Sequence, residues 1–217
     1  MNIHSLHHYL TNLSESEEHY RSGYPFSGWS QLPKVQIHGR EMYRMFPDNL
    51  IFSSMHGENP VSSQNFDIPV GLQDISIKRN SRFNPVPEHV HSHIEINYVY
   101  SGTCPQYIDG KPVLLKKDQV LLIDTDCPHS IDALGENDIM ISMLIRKEFL
   151  RDRMFSQFSK DSVLSRFFVN ALTEQTDHDH YLLFHSEKDR RIPLFFSELF
   201  CEFLDPSVNS GDIIFHL

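Results

Sequence analysis

Apolar residues Leu6, Tyr9, Leu10 and Leu13 recur at i, i+3, i+4 and i+7. That stripe predicts an amphipathic helix over residues 4–21, stopping before Gly23. Residues 22–36 carry Gly23, Pro25, Gly28 and Pro33 and read as loop. A second helical segment is expected over 39–46, ended by Pro47, and residues 57–71 read as loop again. From residue 72 the pattern changes. Segments 72–78, 94–100, 106–108, 112–115, 119–123, 129–134 and 139–145 are short and rich in β-formers. Turn signals separate them, among them Asn84-Pro85, Ser101-Gly102 and Asp126-Cys127-Pro128. Asp109-Gly110 is the strongest hairpin signal, because Gly accepts the positive φ of a tight turn. Many short strands at this spacing indicate a sandwich or barrel. Helical periodicity returns over 147–158, over 161–173 with Val163, Leu164, Phe167, Phe168, Ala171 and Leu172 on one face, and over 190–204. Between the last two, 181–184 is expected as an extra strand. The stripe Ile192, Phe195, Phe196, Leu199, Phe200 and Phe203 packs on the barrel or on a partner subunit, and Asp205-Pro206 ends its helix. The final apolar run, 212–217, reads as the first turn of a helix that has been cut, or as a docked terminal element.

Composition narrows the class. The 217 residues are 40% hydrophobic and 22% charged, an ordinary globular balance. No apolar stretch approaches the ~20 residues of a membrane span, and the N-terminus lacks the basic and apolar regions of a signal peptide. Cys104, Cys127 and Cys201 are odd in number and widely spaced. They point to a reducing, cytoplasmic setting and exclude a disulfide framework. A net charge of −10 argues against direct contact with DNA or anionic lipid, which need clustered Lys and Arg. Signatures of common hydrolases, nucleotide sites and zinc proteases are missing.

The chain has 14 histidines, and they are densest in HVHSHIEINYVYSG, residues 89–102. Residues two or four apart on a strand share a face, so His89, His91 and Glu95 project together with Asn97 behind them. His129 would arrive from a neighbouring strand. Imidazoles with one carboxylate suit Fe, Mn, Ni, Zn or Cu and leave coordination positions open. The same face could instead be a metal-free polar pocket, or a surface turned to water while Val90, Ile94, Ile96, Tyr98 and Tyr100 face the core. His93 shares the parity and becomes an alternative ligand if a bulge shifts the register. Asp177-His178-Asp179-His180 offers a weaker set, read as a solvated loop.

The spacing His89-x-His91-x3-Glu95-x6-Gly102 resembles the first cupin motif, G-x5-H-x-H-x3,4-E-x6-G, with Phe83 at the leading glycine. The second motif, G-x5-P-x-G-x2-H-x3-N, is followed at Asp118 and His129, while Asp124, Asp126 and Ala133 stand at its Pro, Gly and Asn. The resemblance narrows to the N-terminal sensory domain of AraC/XylS-type transcription regulators through the hairpin around Ile108-Asp109-Gly110, the run from Asp118 to Ile123 and Pro128-His129. It covers about 72–205.

This resemblance implies an α+β chain with a cupin-like β-barrel (a double-stranded β-helix or jelly roll) flanked by helices. The divisions are 1–71, a helical arm; 72–145, the barrel; and 146–217, C-terminal helices truncated before a helix-turn-helix domain of roughly 100 residues. It implies a non-enzymatic sensor that binds a small polar, sugar-like effector through His89, His91, Glu95, Asn97 and His129. It further implies a homodimer that meets DNA only through the missing domain, and no membrane partner. No cofactor is expected on that reading. The alternative is a metal-dependent cupin enzyme, a dioxygenase or sugar isomerase, holding a divalent transition metal on His89, His91, Glu95 and His129.

Overall fold

The structure, a computed structural model, describes residues 1–45, 75–154, 162–173 and 179–210. The loop expected at 57–71, the run at 212–217 and Asp177-His178 lie outside the described residues.

The N-terminal stripe folds as two helices, α1 (Ile3–Thr11) and α2 (Glu15–Arg21). The break lies at a capping box. The Glu17 amide donates to the Ser14 hydroxyl, and the Ser14 amide donates to the Glu17 carboxylate, so two helix-end donors are satisfied together. The helix expected over 39–46 is instead a strand. β1 (Lys34–Ile37) and β2 (Arg40–Arg44) form an antiparallel hairpin. Its turn residues His38 and Gly39 have φ of 50° and 76°, the positive pair that matches the twist of tight hairpins. The segment 1–71 therefore supplies strands as well as helices.

Nine more strands follow: β3 (Ile75–Arg79), β4 (Val86–Val90), β5 (His93–Ser101), β6 (Thr103–Ile108), β7 (Lys111–Lys116), β8 (Val120–Ile123), β9 (His129–Ile131), β10 (Ile139–Arg146) and β11 (Tyr181–Phe184). One sheet has the order β1-β2-β4-β9-β6-β7 and the other β11-β8-β5-β10-β3. Among the described strands every pairing is antiparallel except β2 with β4. A short helical turn, Lys147–Phe149, runs into a π-type turn, Leu150–Met154. A 3-10 turn, Gly28–Gln31, precedes β1, and helices α3 (Val163–Thr173) and α4 (Arg191–Leu204) complete the described elements.

Two cores result. Between the sheets lie Val86, Val99, Cys104, Ile108, Leu115, Leu121, Ile123, Ile131 and Met140. On the outer face of the five-stranded sheet, Ile94, Tyr98, Ile141 and Ile145 meet Leu6 and Leu10 of α1, Phe167 and Phe168 of α3, and Phe196, Leu199 and Phe200 of α4. The Phe196 ring stacks on Tyr98 with centroids 4.2 Å apart, so this part of the aromatic face of α4 packs within the chain. β5 is covered on both sides, which removes the water-facing alternative for its odd residues.

The glycine positions of the two cupin patterns fall at 83, 102, 118 and 126, and each has a left-handed backbone. Phe83, Gly102, Asp118 and Asp126 have φ of 63°, 70°, 65° and 55°. Asp tolerates this region because its short polar side chain bonds locally, whereas a bulky residue such as Phe is strained there. The turns thus persist where the glycines do not.

Candidate metal and ligand site

The run 89–97 is not one continuous strand. β4 ends at Val90, β5 begins at His93, and the two lie in opposite sheets. The Asp126 amide donates to the His91 carbonyl across this break, N to O 2.8 Å. His89 on β4 is paired with His129 on β9, with ring centroids 4.0 Å apart. Glu95 reaches them from β5 in the facing sheet. The four residues therefore converge across the barrel interior, and His89, His91, Glu95 and His129 are each at most 3% exposed. One ligand atom from each lies within 4.8 Å of all the others.

Each imidazole is oriented by a neighbouring carbonyl. The Nδ1 atoms of His89, His91 and His129 lie 2.9, 3.0 and 2.8 Å from the carbonyl oxygens of Pro87, His93 and Cys127. A carbonyl only accepts, so Nδ1 carries the proton and Nε2 presents its lone pair inward. Burial, reinforced by competition with His129 and His91 for positive charge, pushes the His89 pKa well below its ordinary value. Burial also lowers His91. Burial alone would raise Glu95, but the adjoining His129 and His91, through a proton shared with the carboxylate, outweigh it and hold the carboxyl well below its usual range.

Glu95 Oε2 lies 2.8 Å from His91 Nε2 and 3.1 Å from His129 Nε2. A carboxylate facing two lone pairs is repulsive unless a cation, either a proton or a metal ion, sits among them. The donor set fits a divalent transition metal. Bonds of ~2.1 Å set ligand spacings of roughly 3.0–4.2 Å, so shifts of about half an ångström bring the four atoms into range.

Asn97 projects into the same interior but bonds elsewhere. Its Oδ1 accepts from Ser142 Oγ at 2.5 Å, and Ser142 Oγ accepts from Asn80 Nδ2 at 2.6 Å. Asn97 Nδ2 donates to Gln106 Oε1 at 3.5 Å. His93 is buried, and its ring lines a separate polar cleft of about 270 Å³ with Ser92, Thr125, Asp126, Arg146, Lys147 and Glu148. Lys78 was not marked by the sequence pattern. Alternation along 72–78 alone would send it to water, yet its register partner Ser142 faces the interior. The cysteines are buried and unpaired, and burial drives the Cys104 and Cys127 thiols up to about 12, so they are inert near neutral pH.

No helix among the described residues is long and apolar enough to cross a membrane. No curated protein matches the chain. Among solved structures, apo ToxT K231A from Vibrio cholerae strain SCE256 aligns at 12% identity and TM-score 0.46, over 65% of this chain and 51% of that one. The Cupin 2 conserved barrel domain protein from Leptotrichia buccalis aligns at 25% identity and TM-score 0.30, over 33% and 35%. The chain spans about half the length of the ToxT chains it matches. Its fold is a cupin-like sandwich of two sheets with N- and C-terminal helices. Residues 78–200, more than half of the chain, match the model of the AraC-like ligand binding domain, and the protein belongs to that family.

Proposed function

We propose that this chain is the effector-sensing and dimerisation module of an AraC-type transcription regulator, working in the cytoplasm. A small polar metabolite is taken at His89, His91, Glu95 and His129, with Asn97 shaping the floor behind them. The observation that supports this most directly is the buried convergence of three oriented imidazoles on one carboxylate inside a ligand-binding fold. Burying so many polar groups is unfavourable unless they are paired with each other or with a ligand. Binding acts by population shift: the ligand favours one arrangement of the flanking helices and so one presentation of two attached DNA-binding domains.

The test is thermal unfolding with a panel of pentoses, hexoses and related polyols. A ligand at ~100 times its Kd adds about 2.7 kcal/mol, a shift readily measured. The expected result is stabilisation by at least one compound that His91→Ala abolishes. Stabilisation that survives His91→Ala would move the site elsewhere, and a panel without any effect would count against a sugar-like effector.

A second reading is favoured by the inward Nε2 lone pairs. His89, His91, Glu95 and His129 would hold a divalent metal, which supplies Lewis acidity and open positions for water, O2 or substrate, as in a metal-dependent cupin enzyme. Elemental analysis and Co2+ titration test it. About one ion per chain, lost in His129→Ala, supports this reading, and well under one ion refutes it.

A further inference from the structure

Among the described residues, Lys78 is a partly buried charged residue on the interior side of β3 that the site described above does not use. β3 pairs with β10 so that Lys78 stands opposite Ser142, and β10 pairs with β5 so that Ser142 stands opposite Asn97 and Leu144 opposite Glu95. Ser142 and Asn97 are bonded to each other between the sheets at 0% exposure. On β3, Ile75 and Ile77 pack in the outer core with the helices. Alternation along the strand therefore directs Lys78 to the interior side, one row from Glu95. Charge coupling agrees, because Lys78 feels Glu95 and His91 feels Lys78.

The Lys78 ammonium has no hydrogen bond or ion pair among the described residues. Glu95 is already engaged by His91 and His129, and no contact within ion-pair distance links it to Lys78. Burial pushes the lysine pKa down, partly opposed by Glu95. Lys78 is partly buried, and an ammonium partly withdrawn from water without an acceptor is destabilising; apolar replacement of such a group is often neutral or stabilising. Among the described strands β3 lies at the edge of its sheet, and Lys78 keeps part of its surface open. The group is both unpaired and reachable. With a divalent ion on the four ligands, the local charge would be more positive still, and an anion would balance it.

We propose that the ligand of this domain carries a carboxylate, and that the Lys78 ammonium, facing the barrel interior one row from Glu95, is its counter-charge. The inference rests on the ligand-binding reading above and narrows the small polar metabolite to an organic acid, such as a polyhydroxy acid. The carboxylate accepts hydrogen bonds from the lysine, and the rest of the molecule lies toward the histidine cluster.

The experiment uses acid and amide pairs of nearly equal shape: lactate and lactamide, succinate and succinamide, glucuronate and glucuronamide. Thermal unfolding and calorimetric titration are run at constant ionic strength on the wild-type chain, Lys78→Met and Lys78→Arg. The expected result is that at least one acid stabilises the wild-type chain while its amide does not. Lys78→Met then weakens that acid at least tenfold, and Lys78→Arg retains most of the preference. Without ligand, Lys78→Met melts at or above the wild-type temperature. A lower melting temperature for ligand-free Lys78→Met would make Lys78 a structural cation and overturn the proposal. Equal binding of acids and amides, or no stabilisation by any acid, also overturns it. The neutral panel with His91→Ala is read separately, so a neutral ligand lost in that variant leaves ligand binding standing while the carboxylate assignment falls.

Discussion

Glu17 joins the N-terminal helices to the barrel, and its replacement by glutamine gives a sharp test of how much that junction contributes. The carboxylate is fully buried. Its Oε1 accepts from the Arg82 backbone amide and Nε, both at 3.0 Å, and its Oε2 accepts from Arg82 Nη2 at 3.0 Å, Arg79 Nη2 at 2.8 Å and the Ser14 amide at 2.8 Å. Arg82 and Arg79 are themselves 2% and 12% exposed. Glu17→Gln conserves shape but leaves two guanidiniums without a counter-charge and turns an amide donor toward donors. Breaking a buried pair this way costs about 3–5 kcal/mol. With a urea slope of ~2.5 kcal/mol/M, the unfolding midpoint falls by about 1.5 M. The pH dependence gives an independent check. Burial pushes the Glu17 pKa up, but hydrogen bonding to Arg82, the charge of Arg79 and the Ser14 and Arg82 amides outweigh it, so the folded pKa lies below 4.5. The stabilisation is therefore fully present above pH 4.5 and is lost as pH falls through the lowered folded value. The wild-type chain should lose stability in that window, and Glu17→Gln should lack this component. A midpoint shift under about 0.4 M, or equal acid sensitivity of the two chains, would refute the clamp.

Three further outcomes are expected. Gly102→Ala places a side chain at φ 70° and drives its Cβ into Asp138 Oδ1 and to 2.9 Å from the Asn137 carbonyl; equilibrium unfolding should show a loss of at least ~2 kcal/mol. Ser142→Ala strands the amides of Asn80 and Asn97 in the interior and should cost about 1–3 kcal/mol by urea unfolding, whereas a loss under ~0.5 kcal/mol would mean that water replaces the hydroxyl. Tyr98→Phe removes the 2.9 Å hydrogen bond to Asp118 but keeps the ring on Phe196, so it should cost about 1 kcal/mol, against ~3–5 kcal/mol for Tyr98→Ala.

Local pattern was sufficient for part of this protein. Period-2 alternation and the Asp109-Gly110 turn located the β6–β7 hairpin, where one face is buried and the other exposed. The spacing of His89, His91, Glu95 and His129 identified the residues that meet. The helical stripe over 190–204 marked the face of α4 that carries Phe196, Leu199 and Phe200. These features are legible because each depends on residues a few positions apart.

Other features depend on partners far along the chain. His89 and Glu95 lie together because β4 and β5 enter opposite sheets and face one another, not because they alternate along one strand. β2 escaped detection because its five residues are too short to separate helical from strand periodicity, and its pairing with β4 is made at long range. β4 was obscured by Pro87, which reads as a strand breaker. The left-handed turns at Phe83, Asp118 and Asp126 are held by surrounding packing, since their residues do not favour that backbone. Nothing in the sequence pattern distinguishes Lys78, and only the β3–β10 register puts it opposite Ser142. Residue type and spacing thus determined which groups could form the site. Sheet assignment and strand register decided which of them share the interior, because burial and charge pairing belong to the assembled layers and not to any one segment.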